Sequence, residues 1–117
     1  MTAHNDRLFE IWLREARRLR TAADASERDF MLHLRAGEKK PQLWLAKGAT
    51  FDQVLELYDI CKGTRYRLAC KALDEIPMNT VKKIGMAAAT VAVGVPEQQR
   101  ENVVSDMVAK AETTGVP

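Results

Sequence analysis

The sequence predicts an all-α protein, a compact single-domain bundle of six to seven short helices. Leu, Ala, Arg and Glu are among its commonest residues, whereas the 117 residues include only six glycines and four prolines. Apolar residues recur at helical spacing, and no segment alternates between apolar and polar residues for long enough to form a convincing strand. A chain of this length, 46% apolar and 29% charged, has the composition of one globular domain.

The first predicted helix covers residues 6–22, with Asn5 as its N-cap. At 100° per residue, an apolar face that includes Leu8, Ile11 and Trp12 lies opposite a charged face. We expect the apolar face to dock on the core. The charged face should be exposed and able to meet phosphate or an acidic partner; its candidate binding residues are Arg14, Arg17 and Arg18.

Two helices are predicted between residues 26 and 47. Ser26, followed by acidic residues, is an N-cap signal, and Gly37 is expected to end that helix. Pro41 suits a first helical position and starts a short helix that contains Trp44. Because Trp is a favoured anchor of interfaces, Trp44 is either a core side chain or part of a partner-binding surface.

Four further helices are predicted after residue 50. Thr50 opens a capping box and a helix that ends near Cys61. Gly63 separates this helix from the next, which Thr64 caps and Pro77 stops. A helix over residues 80–93 is capped by Asn79 or Thr80, Gly94 breaks it, and Pro96 opens an amphipathic last helix. Residues 84–93 carry no charge and are expected to be either the buried centre of the domain or a homodimer interface.

The sequence predicts one cytoplasmic domain over residues 1–117, with residues 1–5 and 113–117 frayed. The chain has no internal repeat, and its first residues lack the basic-then-apolar pattern of a secretory signal. Cys61 and Cys70 are therefore interpreted as free thiols. The longest uncharged stretch is shorter than the ~18–20 residues that a membrane span requires, so no membrane segment is expected.

Recognised catalytic motifs are missing from the sequence. It contains no H-E-x-x-H, no C-x-x-C, no glycine-rich phosphate loop and no G-x-S-x-G. The cysteines and the two histidines fit no recognised zinc spacing. We therefore expect a protein that is not an enzyme and that has no metal or other cofactor.

Basic residues are concentrated in the middle of the chain. Residues 61–86 contain six Lys or Arg and two acidic residues, although the net charge of the whole chain is only +2. Two helix-turn-helix pairings fit the segment 51–93, one across each predicted turn. Both have faults: the first places Leu55 where the motif needs a small residue, and the second has a recognition helix that becomes apolar after Lys83.

Two hypotheses of function follow. The preferred one is a small regulatory or inhibitory protein that binds a protein partner; its candidate site is Arg14, Arg17, Arg18 and Trp44. The alternative is a small, dimeric DNA-binding regulator, whose candidate nucleic-acid contacts are Arg65, Arg67, Lys71, Asn79, Thr80, Lys82 and Lys83. The small net charge favours the first hypothesis, because affinity for DNA comes mainly from neutralised phosphates.

Overall fold

A computed structural model gives the fold of residues 2–22 and 26–114. Within these two ranges the chain forms eight α-helices and no strand, which confirms the all-α class. The helices are α1 (Thr2–Thr21), α2 (Glu27–Glu38), α3 (Pro41–Trp44), α4 (Phe51–Leu57), α5 (Gly63–Glu75), α6 (Met78–Ile84), α7 (Met86–Val93) and α8 (Glu97–Thr114). A 3-10 turn, Leu45–Lys47, follows α3. The described helices exceed the predicted six to seven because the helix expected over residues 80–93 is two helices.

Contacts between Cα atoms divide the chain into two compact units. The N-terminal unit is Met1–Tyr66 and the C-terminal unit is Arg67–Pro117, so the boundary falls within α5. The single domain expected over residues 1–117 stays a prediction.

The two ends of the chain are helical as far as the structure describes them. α1 already includes Asn5, which is therefore not its N-cap. Of the residues predicted to be frayed, 2–5 belong to α1 and 113–114 belong to α8. The others, residue 1 and residues 115–117, lie outside the described ranges.

Aromatic rings form the core of the N-terminal unit. Phe51 is 2% exposed, and its ring centroid lies 5.8 Å from that of Trp12, 5.4 Å from that of Trp44 and 5.3 Å from that of Tyr66. The buried Tyr66 keeps its hydroxyl satisfied by donating to Glu38 Oε1 at 2.7 Å. These contacts bring side chains from α1, α3, α4 and α5 around one ring.

The close packing of α1 on α2 depends on Gly37. Trp12 Nε1 donates a hydrogen bond to the His33 carbonyl at 3.2 Å, and His33 Nε2 lies 2.9 Å from the Trp12 carbonyl oxygen. A Cβ atom at Gly37 would lie 2.4 Å from Trp12 Nε1, so only glycine fits there. The prediction that Gly37 ends α2 is wrong, because the helix continues to Glu38 and uses this glycine for packing.

The capping signals of α2 and α4 are confirmed. Ser26 Oγ accepts from the Asp29 N–H, and the Asp29 carboxylate accepts from the Ser26 N–H. Thr50 and Gln53 form the same reciprocal box at the start of α4. Pro41 lies in the first turn of α3, as predicted.

The connection between α4 and α5 differs from the prediction. α4 ends at Leu57 rather than near Cys61, because the chain leaves the helical path at Asp59, whose φ is 54°. α5 begins at Gly63, so Gly63 belongs to the second helix and Thr64 lies in its first turn. The Gly63 N–H donates to Glu56 Oε2 at 3.1 Å, which satisfies one of the first amides of α5.

The core of the C-terminal unit is built from small and aliphatic side chains, which come from α5, from the residue that follows it, and from α6 and α7. Its buried residues are Ala69, Ala72, Ile76, Val81, Ile84, Met86, Ala89, Ala92 and Val93. α8 packs on α6 and α7, yet none of its residues from 97 to 113 is fully buried. Five of its apolar side chains are half-buried: Val103, Val104, Met107, Val108 and Ala111.

Gly85 breaks the helix that was predicted over residues 80–93. Its φ of 90° and ψ of 158° belong to a region that is essentially restricted to glycine. The predicted caps Asn79 and Thr80 are also wrong, since Pro77 occupies the N-cap position of α6 and no side chain caps that helix. The predicted break at Gly94 and the start of α8 after Pro96 are confirmed.

Candidate protein-binding surface

The outer face of α1 is set by the residues that the helix buries. Phe9, Trp12, Leu13 and Ala16 are buried at the spacing i, i+3, i+4, i+7. Leu8 and Ile11, which the sequence placed on the core face, are instead 36% and 52% exposed. An apolar side chain therefore lies among the charged residues on the outside of α1.

Arg17, which was predicted to bind a partner, contacts the chain itself. Its Nη2 donates to the Tyr58 carbonyl at 3.1 Å, and Arg20 Nη1 donates to the Asp59 carbonyl and, at 3.0 Å, to the Ile60 carbonyl. These carbonyls belong to the three residues that follow α4, near the C-terminal end of the helix, where its dipole favours a cation. Arg17 and Arg20 thus hold the α4–α5 connection against α1.

Arg18 is exposed but forms an ion pair within α1. Its Nε lies 2.7 Å and its Nη2 lies 2.9 Å from the two carboxylate oxygens of Glu15. Hydrogen bonding to Arg18 lowers the pKa of Glu15. Because both side chains are well exposed, a pair of this kind contributes little to stability, and Arg18 stays accessible on the surface.

Arg7 and Arg14 are the two arginines on the outer face of α1 that form neither a hydrogen bond nor an ion pair with a described residue. Both side chains are exposed. Ile11 lies between them, four residues after Arg7 and three before Arg14, which places all three on one side of the helix. With Arg18 they form a row that we call the α1 strip, about 16 Å long at 1.5 Å per residue.

Trp44 does not belong to this surface. Its side chain is only 9% exposed, it packs against Phe51, and Nε1 donates to the Gly37 carbonyl at 3.1 Å. Including Trp44 in the partner-binding site is therefore a prediction that its burial overturns. The indole is a core side chain with its polar atom satisfied.

The predicted nucleic-acid residues are distributed over both units. Arg65 belongs to the N-terminal unit, where it forms an ion pair with Glu27. In the C-terminal unit, Lys83 Nζ lies 2.9 Å from Glu112 Oε1. The remaining residues of the set are exposed, except for the half-buried Thr80: Arg67, Lys71, Asn79, Thr80 and Lys82. Residues 67–117 contain six basic and six acidic residues, so the unit as a whole attracts phosphate no more than it repels it.

Cys61 is the free cysteine of the N-terminal unit, and its thiol donates to the Lys62 carbonyl at 3.4 Å. A cavity of about 400 Å³ at the α4–α5 connection is lined in part by Arg20, Cys61 and Lys62. Burial raises the pKa of the Cys61 thiol, which disfavours the nucleophilic thiolate at neutral pH. Among the described residues, no group of three or more His, Cys, Asp or Glu side chains could hold a metal ion.

No protein-family model matches the sequence, and neither a curated protein nor a solved structure matches it. None of the described helices is both long enough and apolar enough to cross a membrane.

Proposed function

We propose that this chain acts without catalysis, as a regulatory protein that binds a protein partner through the α1 strip. The observation that carries the proposal is the exposed Ile11 between two arginines that have no partner in the described part of the chain. Arg and exposed apolar side chains are typical of the centre of protein interfaces.

The charge of the strip defines the kind of partner. Arg7 and Arg14 lie about 10 Å apart along the helix, at 1.5 Å per residue, and a segment with acidic residues at a similar spacing would pair with both. An apolar side chain between those acidic residues would cover Ile11. We therefore propose that the partner presents an amphipathic acidic segment, such as a helix with carboxylates on either side of a Leu or Ile.

A displayed library of random peptides, selected on the full chain, tests this proposal. We expect enriched peptides to combine acidic and apolar residues at helical spacing. Their affinity, measured by fluorescence anisotropy, should fall at least tenfold for the variant Arg7→Glu/Arg14→Glu, because both ion pairs become repulsive. Selection of peptides without acidic residues would contradict the proposal.

The chain offers a matched control for that variant. Lys39 and Lys40 are also exposed, and their side chains make no hydrogen bond or ion pair with a described residue. Lys39→Glu/Lys40→Glu changes the net charge by the same amount in the same unit. If both double variants weaken the selected peptides equally, the effect is one of overall charge and the α1 strip is not the binding site.

DNA binding is the second candidate, and one observation favours it. The break at Gly85 separates α6 from the apolar α7, and three of the four exposed residues of α6 are polar: Asn79, Lys82 and Lys83, beside Met78. If these residues meet phosphates, duplex DNA should bind with an affinity that falls steeply with salt, and Lys82→Glu should weaken binding and reduce the salt slope. Absence of salt-sensitive binding would exclude this candidate.

A further inference from the structure

The C-terminal unit contains a cavity of about 330 Å³ between the end of α5 and the first half of α8. Ile76, Pro77 and Val104 supply its apolar lining. Glu97 and Glu101, which lie one helical turn apart on α8, supply carboxylates. The cavity thus combines apolar surface with acidic groups.

Arg100 and Glu75 form a neutral wall of the same cavity. Arg100 Nη1 lies 2.6 Å from Glu75 Oε1, and the Arg100 side chain is 17% exposed. Its buried Nε has no hydrogen-bond partner among the residues that the structure describes. The charges of Arg100 and Glu75 neutralise each other. The net charge of the cavity lining is therefore negative and comes from Glu97 and Glu101.

Glu97 and Glu101 are not compensated by the described residues. Both side chains are exposed, and neither makes a hydrogen bond or an ion pair with any of those residues. Two carboxylates at i, i+4 on one helix repel each other. A cation bound between them would remove that repulsion and would form charge-assisted hydrogen bonds with both.

We propose that this cavity binds a lysine or arginine side chain of a protein partner. The aliphatic stem of such a side chain covers Ile76, Pro77 and Val104, while its charged end lies between Glu97 and Glu101. Charge complementarity selects this occupant: an anion would be repelled, and a purely apolar group would desolvate two carboxylates without pairing them. The site is independent of the α1 strip, which is basic and takes acidic segments.

Titration of the isotopically labelled full chain with short blocked peptides tests the proposal. One peptide carries a single arginine between leucines, a second carries lysine, and a third replaces the arginine by its uncharged analogue citrulline. We expect the first two to shift the backbone resonances of residues 75–77 and 97–105 in nuclear magnetic resonance spectra, and to bind at least tenfold more tightly than the third. Equal affinity for arginine and citrulline would overturn the proposal.

Two variants locate the binding. Glu97→Gln/Glu101→Gln should weaken the arginine peptide at least tenfold without loss of helix content, since it removes a repulsion from the folded state. Asp106→Asn removes an exposed carboxylate elsewhere on α8 and should leave the affinity unchanged. An equal loss of affinity in both variants overturns the proposal. The proposal also fails if the backbone resonances at the cavity shift as the protein concentration rises in the absence of peptide, because a second copy of the chain would then occupy the cavity.

Discussion

The two units bury different kinds of side chain. All seven aromatic residues of the chain lie within residues 1–66, and six of them are buried: Phe9, Trp12, Phe30, Trp44, Phe51 and Tyr66. The core of residues 67–117 contains Ala, Val, Ile and Met instead. An aromatic side chain buries about 150–250 Å² and prefers defined ring geometries, so each ring both stabilises and specifies the packing around it.

The comparison shows two ways of packing short helices. In the N-terminal unit, large rings fill the space between helices, and hydrogen bonds such as those of Trp12 and Trp44 fix their orientation. In the C-terminal unit, small side chains allow the helices to approach closely, but α8 keeps its apolar stripe half-exposed. The core of the first unit thus depends on a few large side chains, whereas the core of the second is divided among many smaller ones.

The largest expected effect compares one core residue from each unit. Phe51→Ala should lower the free energy of unfolding by about 3–5 kcal/mol, because it leaves a cavity among three aromatic rings. Val81→Ala removes two buried methyl groups and should cost about 2 kcal/mol at ~0.8 kcal/mol per group plus a small cavity. Urea unfolding followed by circular dichroism measures both. A larger loss for Val81→Ala would contradict the contrast between the two cores.

The second prediction uses one glycine from each unit. Gly37→Ala places a Cβ atom 2.4 Å from Trp12 Nε1, and such overpacking typically costs about 1–3 kcal/mol. At Gly94 a Cβ atom would make only ordinary contact, 3.4 Å from the Val91 carbonyl, and the backbone is right-handed helical. Gly94→Ala should therefore be neutral or stabilise by up to about 1 kcal/mol. Thermal unfolding of both variants distinguishes these outcomes, and similar midpoints would contradict the prediction.

The third prediction depends on the sign of one change. If residues 80–93 were a continuous helix, Gly85→Ala would stabilise the protein by up to about 1 kcal/mol, since alanine is the better helix former. At the observed φ of 90° and ψ of 158°, the same substitution should instead destabilise it by about 1–3 kcal/mol. Denaturant unfolding gives the sign directly. A more stable variant would show that α6 and α7 are one helix.

The smallest expected effect is on the pH dependence of stability, and it comes from the cap at the start of α2. The helices of the two units also differ in such capping. Hydrogen bonds from the Ser26 backbone and hydroxyl lower the pKa of Asp29 at the start of α2, whereas no side chain caps α6 or α7. Because the pKa of Asp29 is lower in the folded than in the unfolded state, its carboxylate stabilises the folded state at any pH above the pKa of the unfolded state. This stabilisation is lost as the pH falls through the pKa of the folded state. The difference in unfolding free energy between the native chain and Asp29→Asn should therefore shrink between about pH 5 and pH 2. A difference that stays constant over this range would contradict the prediction.

Local signals allowed correct prediction of those features that depend on a few neighbouring residues. The capping boxes at Ser26 and Thr50 and the position of Pro41 are examples, because every contact that defines them lies within four residues along the chain. The role of a glycine is not fixed by its neighbours in the same way. The sequence predicts that a helix ends at Gly37, whereas the function of this residue depends on Trp12, which lies on another helix.

The candidate site was predicted only in part. The sequence indicated that arginines line the outside of α1, but it could not show which of them are free. Arg17 donates to the Tyr58 carbonyl, 41 residues away along the chain. This carbonyl is positioned by the end of α4, which the sequence predicted at a later residue. The sequence wrongly predicts Ile11 in the core, because α1 has more apolar residues than one face of the helix can bury. The spacing of Phe9, Trp12, Leu13 and Ala16 was the signal that identifies the buried face.

The contact between Trp12 and Gly37 also restricts how this sequence can evolve. If residue 37 has a side chain, residue 12 must be smaller than tryptophan, because the two would otherwise overlap. If only residue 12 becomes smaller, a cavity is left next to Gly37 on α2. Each single substitution is costly, although the double replacement restores the packing. In related chains we therefore expect these two positions to vary together, with glycine at 37 wherever tryptophan is kept at 12.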